Sequence, residues 1–359
     1  MKILKKLGKW ALVLLLVLLV GAGGLVGYLT IAEYSPPDVE NIVVAAGAKN
    51  GSPQIGQRMA AVSWNIGYAA LGRGQDFFMD GGKMVRPGKK QDVEENLAGI
   101  TSALSLQQAD IYLLQEVDLN SHRSYGINEV AAIERGLMMS STFARNYKCD
   151  FVPFPWPVIG RVESGLQTLS GFHVEEATRE SLPVPFTWPM RVANLKRCLL
   201  VERIPVQNSE KELVLINVHM EAYDNGEGKR AQTEQLMKIL QAEYRKGNYV
   251  LVGGDFNQNF PGVTQYPLLD ESYWAPGLLA EEDLPAGFSF VFDASAPTCR
   301  LLNEPYSGDR SKTQFYVIDG FILSENIRVN HVQTIDANFR YSDHHPVRLE
   351  FTLLADPAA

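Results

Sequence analysis

The sequence predicts an α/β domain carried behind one membrane-spanning helix, and three observations predict it. A 23-residue run without a charge, "WALVLLLVLLVGAGGLVGYLTIA" (Trp10 to Ala32), follows a nine-residue start that holds four lysines and no acid. Strand-like and helix-like stretches then alternate, too loosely for a regular eight-unit barrel and with no repeat period. Polar residues stand at the carboxyl ends of several apolar runs, where an α/β sheet presents its ligand site.

At about 1.5 Å per residue the first run is long enough to cross a bilayer. A cleaved signal has a shorter apolar region, about 7–15 residues, and a small-x-small site, which here would have to be improvised from "GAGG". An uncleaved signal anchor at residues 10–32 is therefore favoured. The basic residues 1–9 are expected to stay in the cytoplasm, which makes this a single-pass membrane protein with its carboxyl-terminal domain on the extracytoplasmic side. Residues 33–58, rich in Pro, Gly, Ser and Asn, read as a linker with one edge strand at Ile42 to Ala45. The domain is expected over residues 59–354, with 355–359 as a tail.

With 46% hydrophobic residues the chain can bury a large core. Lys and Arg number 33 against 41 Asp and Glu, a net charge of −8, and because four lysines precede the apolar run the exported part stands at −12. Such a domain gains nothing from counterion release on a long polyanion and is repelled by anionic lipid, so bulk DNA is a disfavoured substrate. The three cysteines, Cys149, Cys198 and Cys299, are widely spaced and outside any CxxC pattern; they read as buried small hydrophobes.

From Met59 the elements follow in order. "MAAVSWNIGY" reads as a strand. "DVEENLAGITSALSLQQ" reads as a helix with Asp92 as N-cap, Glu95 as capping-box partner, and Val93, Leu97, Ile100 and Leu104 on one face. Strands are expected at "DIYLLQEVD", "LVLINVHM" and "NYVLVGGDFN", with a helix across "KRAQTEQLMKILQAEYRKG" closing at Gly247. "QFYVIDGFILS" and "PVRLEFTLL" supply the last strands. Two long connections, Leu71 to Gln91 and about Phe151 to Met190, read as loops that shape a substrate cleft.

Four polar positions end apolar runs: Asn65 in "SWNIG", Glu116 in "LLQEVD", His219 in "INVHME", and Asp255 with Asn257 in "VGGDFN". Each has a bland reading as a turn, a strand-end acid or a satisfied core histidine. Asp319 in "FYVIDGFIL" is harder to dismiss, because a carboxylate in an apolar strand is costly unless paired or metal-bound. In "YSDHHPVRL" adjacent side chains of an extended segment point to opposite faces. His345 shares the parity of Val347, Leu349 and Phe351, so it reads as structural, which leaves His344 beside Asp343 for chemistry.

Taken together, "WNI", "LQEV", "NVH", "GDFN", "IDGFIL" and "SDHHPV" resemble, in this order, the blocks of the endonuclease/exonuclease/phosphatase (DNase I-like) superfamily of magnesium-dependent phosphoesterases, from about Met59 to Leu354. "DHH" also marks a different family of manganese phosphoesterases, but in an amino-terminal domain rather than near the carboxyl end. The resemblance implies a four-layer α/β/β/α sandwich of two packed mixed sheets with the site at one end. It implies that Glu116 and Asn65 form the main site for Mg²⁺, with Mn²⁺ as the other candidate, and that Asp343 reaches the ion. By the same resemblance Asp255 orients or deprotonates the attacking water and Asn257 hydrogen-bonds a phosphoryl oxygen. His344 donates to the phosphate with Asp319 or Asp343 fixing its tautomer, and His219 steadies the phosphate or protonates the leaving oxygen. Arg123 lies where relatives often carry a substrate-facing basic or polar residue, and Lys83 and Arg86 sit in the long first loop; solvated surface charge is the favoured reading for each of the three.

The function expected is a membrane-anchored phosphodiesterase or phosphoesterase acting on a lipid headgroup or small molecule. The alternatives are an extracellular nuclease and an inactive tethered binding module. The residues do not indicate an oligomeric state.

Overall fold

A computed structural model describes residues 2–355; Met1 and residues 356–359, which include most of the expected tail, lie outside the described residues. The first helix runs Lys2–Ile31. From residue 5 onward, where burial is described, it is mostly exposed and becomes buried only near its end, at Leu29.

Two mixed sheets follow. One has six strands in the spatial order Ile327–Thr334, Val347–Leu353, Arg58–Asn65, Ile111–Asp118, Gly160–Ser170 and Ser140–Val152. The other has seven, in the order Val39–Asn41, Glu176–Ser181, Cys198–Pro205, Glu212–His219, Tyr249–Asp255, Asp319–Ser324 and Phe288–Val291. Parallel pairs lie at the centre of each, Arg58–Asn65 beside Ile111–Asp118 and Glu212–His219 beside Tyr249–Asp255.

Strand alternation sorts the side chains into layers. Ala61, Ile111 and Leu113 of the first sheet meet Leu213, Leu215, Leu251 and Phe321 of the second in a core between the sheets. The opposite faces carry Val62, Trp64, Tyr112 and Leu114 against Val93, Leu97, Ile100 and Leu104 of the Lys90–Gln107 helix. Val214, Ile216, Val250 and Val252 pack in the same way against Leu236, Met237 and Leu240 of the Glu227–Arg245 helix. The result is the expected four-layer α/β/β/α sandwich. At Gly253 the sheets approach so closely that a Cβ would lie 2.6 Å from Leu113 of the facing sheet, and it would also lie 2.7 Å from Phe321 on the neighbouring strand of its own sheet.

Several local expectations are corrected. The Lys90–Gln107 helix starts two residues before Asp92, and its N-cap, Lys89, makes no side-chain cap bond. Asp92 sits instead in the first turn, where its charge complements the helix dipole, and Glu95 accepts from Gln91 Nε2 at 2.7 Å. The edge strand of the linker is Val39–Asn41, paired antiparallel with Glu176–Ser181, rather than Ile42–Ala45; Ala45 makes a single bridge to Ser141. The supposed loop from Phe151 to Met190 holds the strands Gly160–Ser170 and Glu176–Ser181. The run "QFYVIDGFILS" is broken at Val317 and Ile318 into Phe315–Tyr316, which pairs with Cys299–Arg300, and Asp319–Ser324. The strands Ser140–Val152 and Cys198–Pro205 and the helix Glu129–Leu137 were not expected.

Candidate functional site

Along the strands that face each other across the central core, inward-pointing residues turn from apolar to polar toward one end. Ser63, Gln115 and Asn217 come first: Gln115 Nε2 donates to Asn217 Oδ1 at 2.8 Å, and Asn217 Nδ2 donates to Leu114 O at 3.1 Å. One residue on, the Ile111–Asp118 strand is bulged between Leu114 and Val117, and Glu116 adopts φ = +53°. A bulge re-aims the side chain at its centre; strain of this kind in a non-glycine residue persists where the surroundings enforce it. It delivers the Glu116 carboxylate to the sheet mouth, where the side chain keeps 25% exposure.

There Asn65 Nδ2 donates to Glu116 Oε1 at 3.3 Å and to Asp255 Oδ2 at 3.0 Å, while Asn65 Oδ1 accepts from Gly67 N at 3.0 Å. His219 Nε2 lies 3.9 Å from Glu116 and 3.5 Å from Asp255. Its Nδ1 is buried without a partner. Asn257, at φ = +50°, donates its backbone N–H to Asp255 Oδ1 at 2.8 Å and an amide hydrogen to Met220 O at 2.9 Å. From the facing segment His344 Nδ1 donates to Asp319 Oδ2 at 2.9 Å, and His344 Nε2 stands 3.9 Å from both Asp255 and Asp343. Eight of the nine sequence-derived candidates therefore converge at one mouth, and Glu116, His219, Asp255, Asn257, Asp343 and His344 line a single cavity of about 590 Å³.

The electrostatics separate the two imidazoles. Burial, the Arg197 guanidinium and His344 push His219 well below its ordinary pKa, so its ring is neutral. For His344 burial works against the proton, but the Asp319 carboxylate overrides it, helped by Cys299 and Asp343, and its pKa stands well above the ordinary value. Burial and then the Asp319 charge raise Asp255 to about 6, against His344 and the hydrogen bonds from Asn65 and Asn257. Burial raises Asp343 to about 7 against the pull of His344, with Glu116 adding to the rise. Pairs of groups driven apart in this way divide acid from base duties.

Four carboxyl groups crowd one mouth beside a single imidazolium, and a cation relieves the repulsion that builds between them as they ionise. The ligand atoms of Asp255, Asp319 and His344, and those of Cys299, Asp343 and His344, lie within 4.8 Å of one another. Burial pushes the Cys299 thiol up to about 12, so the free side chain is protonated. Asp319 Oδ2 is committed to His344. Glu116 and Asp343 offer hard oxygen donors of the kind that suit a divalent cation such as Mg²⁺, and Asn65 holds its amide nitrogen on Glu116 Oε1 and Asp255 Oδ2. The residues present fit a divalent cation.

His345 is separate from this chemistry. Its Nδ1 donates to Pro297 O at 2.8 Å, its Nε2 accepts from Phe339 N at 3.2 Å, and its ring stacks on Phe339 at 3.9 Å.

Arg123 is not a solvated charge. It is 13% exposed, makes a two-pronged pair with Asp118 at 3.2 and 2.9 Å, and lies 3.6 Å over the Tyr68 ring on the cavity wall. Sequence reasoning missed Arg300, which also lines the cavity. It is 1% exposed and bonds only carbonyls, among them Gly72 O and Gln75 O at 3.0 Å, so it pins the long first loop; its Nε has no partner. The available signal was a lone cation in the apolar run "TCRLL". That loop supplies Phe77, Phe78, Met79, Asp80 and Val85 to the cavity, as expected of a cleft-shaping segment.

No curated protein matches the chain. Among solved structures, an endonuclease/exonuclease/phosphatase from Beutenbergia cavernae DSM 12333 matches with a TM-score of 0.57 and 16% identity over 84% of this chain and 73% of that one. A functionally unknown conserved protein from Enterococcus faecalis V583 gives 0.54 and 15% over 82% and 100%. A family protein from Bacteroides thetaiotaomicron gives 0.52 and 13% over 83% and 99%. At these identities the likeness speaks for the fold. Residues 62–344 match the model of the Endonuclease/Exonuclease/phosphatase family, and the chain belongs to that family.

Proposed function

We propose that the protein is a membrane-anchored, divalent-cation-dependent phosphoesterase that acts on the extracytoplasmic side on a lipid headgroup or a small phosphodiester. The observation that carries this reading is the shared cavity of Glu116 and His344, chain positions more than two hundred residues apart, with Asp255 and His219 between them. Glu116 and Asp343 would hold Mg²⁺, or Mn²⁺ in its place, and Asn65 orients Glu116. When bound, the cation supplies Lewis acidity and neutralises charge that otherwise repels a nucleophile from the phosphodiester.

Asp255, with its pKa near 6, is the group that takes a proton from the attacking water at Oδ2. The water oxygen bonds to phosphorus as the opposite ester P–O bond breaks, and the departing oxygen takes a proton from solvent and leaves as an alcohol. His344 keeps a proton on Nε2, through the bond from Nδ1 to Asp319, and donates it to a phosphoryl oxygen that gains charge. Neutral His219 presents Nε2–H on the leaving side, and Asn257 holds Asp255 through its backbone N–H and offers its second amide hydrogen to the phosphate. Arg123, fixed by Asp118, supplies positive potential at the wall.

A substrate panel with and without Mg²⁺ tests the reading: bis-p-nitrophenyl phosphate, zwitterionic and inositol phospholipids, and plasmid DNA. Cation-dependent turnover of the chromogenic ester and of lipid is expected. Activity on DNA alone would turn the assignment to a nuclease, and silence on every substrate would turn it to a binding module.

A further inference from the structure

The cavity does not end at the catalytic groups. Its far wall includes Val26 and Leu29, the last turns of the amino-terminal helix. Counting about twenty residues for a ~30 Å hydrocarbon layer from Trp10 brings the chain to Leu29, so these wall residues lie at the depth where acyl chains meet headgroups. The helix is also not loosely tethered. Tyr28 donates its hydroxyl to Asp150 at 2.7 Å, Glu33 takes Arg191 at 2.9 Å and Lys196 at 3.1 Å, and Leu29 is buried among Tyr147, Val152 and Val192. Around the same end stands an apolar rim that the domain core does not use: Trp188 is 57% exposed, Met190 53% and Phe154 43%, and Trp156, two residues beyond Phe154 in the chain, is 90% exposed. Trp188 Nε1 donates to Thr30 Oγ1 of the helix at 3.0 Å, which keeps this rim level with the helix end. Phe154 and Met190 also line the cavity. Exposed indoles at the level of a span's end are the pattern of a membrane-interface belt.

Resting on the phosphoesterase reading above, we propose that the anchor helix is a working wall of the active site. The cavity receives a lipid phosphoester from the bilayer that holds the helix, with its ester at His344 and the start of its aliphatic chain along Val26, Leu29 and Phe154. A volume of about 590 Å³ exceeds what a headgroup phosphate needs and falls in the range of pockets for larger ligands. The exported part carries a net −12, which repels anionic lipid, so the occupant is a zwitterionic phospholipid. The substrate is delivered laterally, in the plane of the membrane, and the anchor fixes the height of the catalytic groups above it.

The test uses the full chain reconstituted in phosphatidylcholine vesicles. Wild type and the double variant Trp156→Ser/Trp188→Ser are compared on vesicle lipid and on soluble bis-p-nitrophenyl phosphate. Lipid turnover should fall by about 10-fold or more in the variant, as expected for loss of two interfacial anchors, with the soluble ester unaffected. A series of soluble phosphocholine esters should gain about 10-fold or more in kcat/KM from a two-carbon to an eight-carbon alkyl group. Independently of turnover, bromine-labelled lipid should quench a fluorescence component that Trp156→Phe/Trp188→Phe removes. Equal lipid turnover in the variant, a flat chain-length series, or no quenching of these two indoles would each overturn the proposal. Failure of wild type on the soluble ester would instead overturn the phosphoesterase reading beneath it.

Discussion

His344 and His345 are chain neighbours in opposite environments. The Asp319 carboxylate holds a proton on His344, whereas burial drives His345 down to about 4 and keeps it a neutral strut on Phe339 and Pro297. Replacing Asp319 by Asn removes the charge but keeps the shape. His344 then loses its proton at lower pH, so the alkaline limb of the kcat profile should move to lower pH and kcat should fall by about 10²–10⁴. A profile unchanged in position would mean that Asp319 does not set the His344 proton. By contrast His345→Gln should leave the limb in place and lower stability, read as a change in the denaturation midpoint without a shifted profile. At this scale the sequence was informative where chemistry forces an exception to patterning: Asp319 interrupts an apolar strand, and strand parity separates the two histidines. It was silent where burial and partners decide the outcome. Nothing in "NSHRSYG" says that Arg123 will be clasped by Asp118, and nothing local announces the bulge that turns Glu116 into the mouth.

Among the elements, the Cys198–Pro205 strand carries an unusual acid. Glu202 is 1% exposed, accepts one bond from Thr142 Oγ1 at 2.6 Å, and has its other oxygen without a partner. Burial raises its pKa from 4.5 to about 7. The folded state thus holds this proton to higher pH than the unfolded chain does. The stability it contributes is complete below about pH 4.5 and is lost as pH rises to about 7, a difference of about 3 kcal/mol at most. Glu202→Gln keeps the acceptor for Thr142 and does not ionise. Urea titrations should show the variant close to wild type at pH 4.5 and more stable at pH 8; equal stability at both would show that Glu202 is hydrated.

The elements read from periodicity were those buried on both faces or amphipathic over several turns, such as Tyr249–Asp255 and Glu227–Arg245. Those missed were of another kind. Ser140–Val152 mixes Ser, Thr, Arg, Asn and Lys along thirteen residues because it closes the edge of its sheet, and pairing with Gly160–Ser170, not hydrophobic pattern, defines it. Glu129–Leu137 spans only nine residues, too short for a helical period to stand out.

At the scale of the whole molecule the six ordered blocks revealed the family, and the sandwich then followed by resemblance rather than from local pattern. What no segment contained was the relation between the anchor and the site. Residues 33–58 read as a linker with one edge strand at Ile42 to Ala45; the strand is Val39–Asn41, which joins the second sheet, and Glu33 is clasped by Arg191 and Lys196, so the helix is held against the domain. Crowded acids at the mouth make a further property of the entire fold calculable. A cation that binds only the folded state adds about 2.7 kcal/mol at a hundredfold excess over its Kd. Mg²⁺ should therefore raise the melting temperature of wild type, and Glu116→Gln should abolish that rise without lowering the melting temperature in chelator. An equal rise in the variant would place the cation elsewhere.

Catalysis as proposed requires a cation held by Glu116 within reach of His344, and turnover of bis-p-nitrophenyl phosphate after chelation and Mg²⁺ readdition reads this most directly. Wild type should be inactive in chelator and recover on readdition, while Glu116→Gln at the same Mg²⁺ should stay down by about 10³-fold or more. Turnover by wild type that ignores the chelator, or turnover by Glu116→Gln that matches wild type, would contradict it.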